Sequence, residues 1–137
     1  MINNKSVAII VVNWKKYDLT FECIDSVLAS SFINFKIILI DNEFQKNKLS
    51  RYSSNQKIKV ILNKANNGFA KANNQGIVYA LEKNYDYIML LNNDTRISSV
   101  FNYDDIIQEC TPATFIVEVL EKIIELFIKY KLFTILF

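Results

Sequence analysis

The chain has 137 residues, 51% hydrophobic and 22% charged, enough for one domain with a sizeable core and too apolar for disorder over most of its length. Sixteen basic and 14 acidic side chains give a formal net charge of +2, with no long run of one sign, so nucleic-acid binding is disfavoured. Histidine is absent, which excludes imidazole catalysis and histidine-based metal sites and leaves hard cations on oxygen ligands, magnesium or manganese.

In chain order, Val7 to Val12 is a continuous apolar run rich in branched residues, as in a parallel strand covered on both faces, and it ends at Asn13-Trp14. It is too short to span a membrane and lacks the form of a secretory signal. Asp18 is placed to cap a helix through about Ser30, with Leu19, Cys23, Ile24, Val27 and Leu28 at helical spacing. Phe35 to Ile40 predicts a second buried strand ending at Asp41-Asn42, and Gln45 to Gln56 a short helix or a loop. Ile58 to Leu62 predicts a third strand. A helix from about Phe69 to Lys83 follows, presenting Ala72, Ile77, Ala80 and Leu81 to the core, and Tyr87 to Leu91 is the fourth strand. Cys23 and Cys110 form no CxxC pair and read as small buried residues in a reducing cytosol.

Alternating strands and helices imply an α/β sheet, in which ligands collect outside the carboxyl ends of the parallel strands. Asn13, Asp41 and Asp94 all fall at such ends. Both glycines of the chain, Gly68 and Gly76, lie in one polar-rich block from Asn66 to Gly76, and Asn92-Asn93-Asp94 follows one apolar run later. A glycine-bearing loop together with a carboxylate at a strand end suggests a nucleotide and a divalent metal. Taken singly, each element has a plainer reading: Asn-Asn-Asp and Asn-Gly are common turns, Asp41 is a solvated strand-end residue or a helix cap, and Asn13 closes a loop. Trp14 and Phe69 read as packing residues rather than stacking platforms. A GxGxxG turn after the first strand and a GxxxxGK[ST] loop are both missing, which disfavours a dinucleotide oxidoreductase and a P-loop enzyme.

Val7 to Trp14, Ile37 to Asn42, Asn66 to Gly76 and Leu90 to Ile97 together resemble family 2 glycosyltransferases, in particular the bacterial rhamnosyltransferase-like branch, over roughly residues 5 to 97. The resemblance implies a GT-A-like (Rossmann-like) mostly parallel sheet with flanking helices. It also implies a nucleotide-diphosphate sugar donor, such as a UDP- or dTDP-sugar, a divalent cation (Mn2+ or Mg2+), and inverting transfer to a glycan acceptor in polysaccharide biosynthesis. Carried over by position, Asn13 and Asp41 are donor contacts, the latter at the nucleobase end. Asn67, Gly68 and Asn74 belong to the loop and helix start beside the donor. Asn92-Asn93-Asp94 stands where the family has its DxD-like motif, with Asn92 and Asn93 on the donor and Asp94 on the metal. Asn92 departs from the motif, so a single carboxylate is left to carry the cation. The serine and aspartate that commonly follow the second strand's acidic residue are absent from Asp41-Asn42-Glu43-Phe44-Gln45-Lys46. Neither Asp104-Asp105 nor Glu109 sits in a context like the family's catalytic base, and no catalytic residue is assigned.

These features define two expected units, a nucleotide-sugar-binding domain over 1–97 and a divergent tail over 98–137. Thr111 and Pro112 open an amphipathic helix in the tail. Its polar stripe runs through Glu118, Glu121, Lys122, Glu125 and Lys129, and its broad apolar face includes Phe115, Val119, Ile123 and Phe127. The expected role of the 112–137 helix is to cover the sheet. Alternatively it mediates homo-oligomer or partner-chain contact, or docks peripherally on a membrane from the cytoplasm. The chain reads as the N-terminal half of the family fold, with transfer of a sugar as its function. The alternative is a catalytically inactive truncated remnant that serves as a nucleotide-binding or protein-interaction module.

Overall fold

The computed structural model of the chain describes residues 5–31, 34–98 and 132–135. Each apolar run becomes a strand: β1 (Val7–Asn13), β2 (Phe35–Asp41), β3 (Ile58–Leu62) and β4 (Tyr87–Leu91), joined by a fifth, β5 (Leu132–Ile135). All neighbours pair in parallel, in the order β3-β2-β1-β4-β5. Two helices, α1 (Tyr17–Leu28) and α2 (Phe69–Glu82), lie in the connections after β1 and β3, and the 45–56 stretch is a set of turns around a short 3-10 segment, Ser50–Tyr52.

Strand side chains alternate between two faces, and both faces are covered. Val7, Ile9, Val11, Ile37, Leu39, Met89 and Leu91 meet α1 through Cys23, Ile24 and Val27, with Leu49 and Tyr52 closing the same layer. Ala8, Ile10, Val12, Ile38, Ile40 and Ile88 meet α2 through Ala72, Ile77 and Ala80. This doubly covered sheet explains why the strands read as unbroken apolar runs rather than as alternating ones.

Helix α1 differs from its expected form in two respects. It opens at Lys16 without a side-chain cap, with Asp18 inside the first turn, where its charge complements the helix dipole. It also turns Thr20 inward, fully buried, and leaves Leu19 37% exposed. The exchange follows from hydrogen bonding, because the Thr20 hydroxyl is engaged by polar side chains at the sheet edge. Cys23 is buried and free as expected, its thiol pushed up to about 12 by burial and by the nearby Asp94 charge. Cys110, Asp104, Asp105 and Glu109 lie outside the described residues. So does most of the expected tail helix, whose final residues Leu132–Ile135 run as β5 beside β4. Leu-Phe-Thr-Ile is rich in aromatic and β-branched residues, which suit a pleated strand.

Gly76 marks the closest approach of α2 to the sheet. A Cβ added there would stand 2.6 Å from Ile10 Cγ2, a branch on a stiff and fully buried side chain. Gly76→Ala gains about 1 kcal/mol of helix propensity but must push α2 off β1, an overpacking cost of about 1–3 kcal/mol. A net loss of stability is expected in chemical denaturation, and a larger one for Gly76→Val.

The amino ends of β1 and β4 are tied by Asp86, which accepts from Lys5 Nζ at 3.0 Å, Ser6 N at 2.8 Å and Ser6 Oγ at 2.9 Å. The Ser6 amide is the main cause that holds this carboxyl below its usual range. A depressed folded pKa stabilises the fold at pH above the unfolded carboxylate value, about 4, and that support fades as pH falls through the folded value. Asp86→Asn is expected to lower the urea midpoint near neutral pH. It should also narrow the difference between neutral and strongly acid conditions.

Candidate functional site

The chain runs β1, β2, β3 outward in one direction and then places β4 on the other side of β1. The order therefore reverses between β1 and β4, the crevice where open α/β sheets take their ligands. Strand register brings Asn13 level with Asp41, and Val11 level with Leu91, so the residues after Leu91 emerge beside Asn13.

A buried polar network fills this edge. Asn13 and Asp41 are fully buried, and Asn13 Nδ2 donates to Asp41 Oδ1 at 2.7 Å. The Tyr17 hydroxyl lies 3.0 Å from Oδ1 and 3.1 Å from Oδ2, and the Gln45 amide donates to Oδ2 at 3.0 Å. Burial and Asp41 push the Tyr17 phenol well above its ordinary range, so it stays a donor. Thr20 Oγ1 donates to Asn13 Oδ1 at 2.8 Å and accepts from Asn93 Nδ2 at 2.9 Å. The loops after β1, β2 and β4 are thereby joined through side chains.

A second ladder holds the polar-rich block. Asn63 Nδ2 donates to Asn42 Oδ1 at 2.8 Å and to Gln75 Oε1 at 2.7 Å, and Gln75 Nε2 returns a bond to Asn63 Oδ1 at 2.9 Å. Gly68 precedes α2 at φ +78° and ψ 166°, a conformation nearly reserved for glycine, and a Cβ there would meet nothing within 4 Å. The Asn66 side chain accepts the Gly68 amide at 2.9 Å. No side chain caps α2, so its first-turn amides face the same edge unsatisfied by a cap.

Asn13, Asp41 and Asn93 thus meet in one network, with Asn92 adjacent to it: its carbonyl accepts the Cys23 thiol at 3.5 Å. Asn67 is half-buried and Gly68 exposed at the start of α2, whereas Asn74 is exposed on the helix and joins neither network among the described residues. Asp94 is exposed, with no hydrogen bond or ion pair among the described residues. Its neighbours on both sides are anchored to α1, Asn93 by Thr20, Arg96 by Glu22, and Ile97 N by Ser26 Oγ at 2.9 Å. No group of three or more acidic or cysteine side chains able to hold a metal occurs among the described residues. Asp94 with the flanking asparagine oxygens is a hard but sparse donor set. It fits magnesium or manganese, which keep waters and bind through one or two carboxylates plus phosphate oxygens.

Tyr17, Thr20 and Asn63 were not legible as site residues, because each is a common helix or loop residue with a partner far along the chain, whereas Gln75 falls in the polar-rich block without having been singled out within it. The exposed lysines at this edge, Lys15, Lys16, Lys46, Lys48, Lys64 and Lys71, make no ion pair with a described residue. Trp14 and Phe69, expected in the core, are 40% and 58% exposed, and Phe44 is 49% exposed. Trp14 follows the strand end just before Lys15 turns the backbone at φ 56°, with the Lys15 ammonium 4.9 Å from its ring centroid. Two buried side-chain oxygens, Glu43 Oε2 and Thr95 Oγ1, lack a partner among the described residues, and both follow strands that end at this edge.

The model of the glycosyl transferase family 2 matches residues 6–100, which span every element from β1 to the Asn92-Asn93-Asp94 turn. This chain belongs to that family. The bifunctional glycosyltransferase pgtA of Dictyostelium discoideum is 34% identical over an alignment covering 58% of this chain and 12% of that protein. Among solved structures, S. aureus TarS 1–349 in complex with UDP is similar with a TM-score of 0.62 at 17% identity, covering 74% of this chain and 31% of that one. The mannosyltransferase PcManGT from Pyrobaculum calidifontis, in complex with GDP-Man and Mn2+, has a TM-score of 0.56 at 14% identity, covering 67% and 29%. The GT-A-like fold expected from the sequence is therefore the observed one, and the chain spans less than a third of the length of these relatives. Among the described residues no helix is long and apolar enough to cross a membrane.

Proposed function

We propose that this chain supplies the donor side of a family 2 glycosyltransferase, binding a nucleotide-diphosphate sugar at the carboxyl edge between β1 and β4 for transfer to a glycan acceptor. The observation that carries the reading is the exposed Asp94 carboxylate, free of partners among the described residues and held between two segments anchored to α1. The family relationship is the second support, and the UDP and GDP-Man complexes of the similar structures are the third.

In this reading the nucleobase end lies by Asn13 and Asp41. Asp41 acts there by fixing the Asn13 side chain and the Gln45 backbone rather than through a free oxygen, since both its oxygens are engaged. The diphosphate end lies between Asn92, Asn93 and the start of α2 at Asn67 and Gly68, with Asn74 nearly two turns further on. Helix amides without a side-chain cap and lysines without an ion pair, both among the described residues, favour an anion there. Asp94 would hold the cation, which when bound offsets negative charge on the departing diphosphate. A site with one carboxylate needs the diphosphate oxygens to complete it, so metal and nucleotide should bind together.

The test is calorimetric titration of the full chain with UDP and with dTDP, with and without manganese. Manganese alone should bind weakly, and either nucleotide should bind more tightly in its presence. A folded protein that binds neither nucleotide under either condition would sink the reading.

A further inference from the structure

Thr20 is the fourth residue of α1. In that position a threonine hydroxyl ordinarily bonds back to the carbonyl four residues earlier, and Lys16 O stands 2.9 Å away for it. The same hydroxyl oxygen stands 2.8 Å from Asn13 Oδ1 and accepts the Asn93 side-chain amide at 2.9 Å. Thr20 is fully buried, and its hydroxyl has one proton to give. With that proton on Asn13, three bonds run in one direction: Asn93 Nδ2 to Thr20 Oγ1, Thr20 Oγ1 to Asn13 Oδ1, and Asn13 Nδ2 to Asp41 Oδ1. Bonds aligned in this way polarise one another, and the last acceptor is a carboxyl oxygen. The chain crosses the crevice between β1 and β4 and starts on the residue next to Asp94.

We propose that Thr20 is a positioning residue that fixes the Asn93–Asp94 segment against the Asn13–Asp41 pair, and so sets the metal end of the donor site relative to its nucleobase end. This rests on the donor-site reading above. Glu22 and Ser26 secure Arg96 and Ile97 on the far side of Asp94, but among the described residues only Thr20 engages both the residue before it and the β1–β2 pair. An apolar side chain of the same shape would fill the space and leave Asn13 Oδ1 and Asn93 Nδ2 without the bonds the hydroxyl makes.

The experiment compares Thr20→Val and Thr20→Ser with the wild-type chain, titrating UDP with and without manganese. Thr20→Val is expected to cut the manganese enhancement of UDP affinity by about tenfold while changing metal-free UDP binding far less. Thr20→Ser, which keeps the hydroxyl, restores the enhancement. A Val variant with the full enhancement, or a Ser variant as impaired as Val, overturns the proposal. A second measurement needs neither nucleotide nor the Val variant. In 15N-labelled wild type, the Asn13 and Asn93 side-chain amide protons are expected to exchange far more slowly than those of exposed Asn74. Asn93 protons exchanging as fast as those of Asn74 would overturn the role of Thr20. If wild type binds neither UDP nor dTDP, the donor reading fails, and the exchange measurement still decides whether Thr20 holds Asn93; if it binds dTDP alone, the comparison is made with dTDP.

Discussion

In Asp94→Ala, manganese is expected to lose its effect on UDP binding, with affinity measured in its presence falling on the order of 100-fold, because a cation held by Asp94 would offset the charge of the diphosphate by several kcal/mol. The reason lies in the economy of the site: no group of three or more acidic or cysteine side chains able to hold a metal surrounds Asp94 among the described residues. Asp94 is also exposed and unpaired among those residues, so the substitution should leave the thermal unfolding midpoint nearly unchanged. Asp94→Asn keeps the size and an oxygen ligand but removes the charge, and it should fall between the two. Manganese-dependent UDP binding that survives Asp94→Ala would place the cation elsewhere and remove the main support for the donor site as drawn here.

The second large effect is on stability. Asp41→Ala removes the shared acceptor of Asn13 Nδ2, the Tyr17 hydroxyl and the Gln45 amide at a fully buried position. Each stranded donor costs roughly 1–3 kcal/mol, so a total of about 3–5 kcal/mol is expected once the site relaxes. That is a large share of the 5–15 kcal/mol typical of a domain. Tyr17→Phe, which strands no donor, should cost only about 1 kcal/mol. Urea denaturation reads both, and an Asp41→Ala protein as stable as wild type would show that this network does not hold the loops. The pairing of the two experiments separates roles, since Asp94 is expected to matter for ligand and not for folding, and Asp41 for folding first.

Much of the site was legible because strand ends are. Unbroken apolar runs such as Val7 to Val12 and Tyr87 to Leu91 stop abruptly at Asn13 and Asn92, and in a doubly covered parallel sheet those stops mark the ligand edge. Gly76 was legible as a functional-block glycine, but its observed role is steric, against Ile10. The exposure of Trp14 and Phe69 was not legible, because hydrophobicity says only that a side chain gains from burial, not that a neighbour is there to bury it. Helical periodicity ranked Leu19 as core for the same reason and passed over Thr20.

The sequence by itself determined the alternation of strands and helices, the two apolar faces of the sheet, and the residues that stand at its carboxyl edge. These follow from local periodicity and from where polarity interrupts it. Only the tertiary structure decided which of those edge residues bond to one another and which stay exposed without a partner among the described residues. Asn13 and Thr20 lie far along the chain from Asp41 and Asn93, and the four find each other through strand register and the placement of α1. Hydrogen bonds depend on distance and direction in space, which residue order does not encode locally, so the gathering of three donors on Asp41 and the freedom of Asp94 among the described residues emerged only once the sheet was assembled.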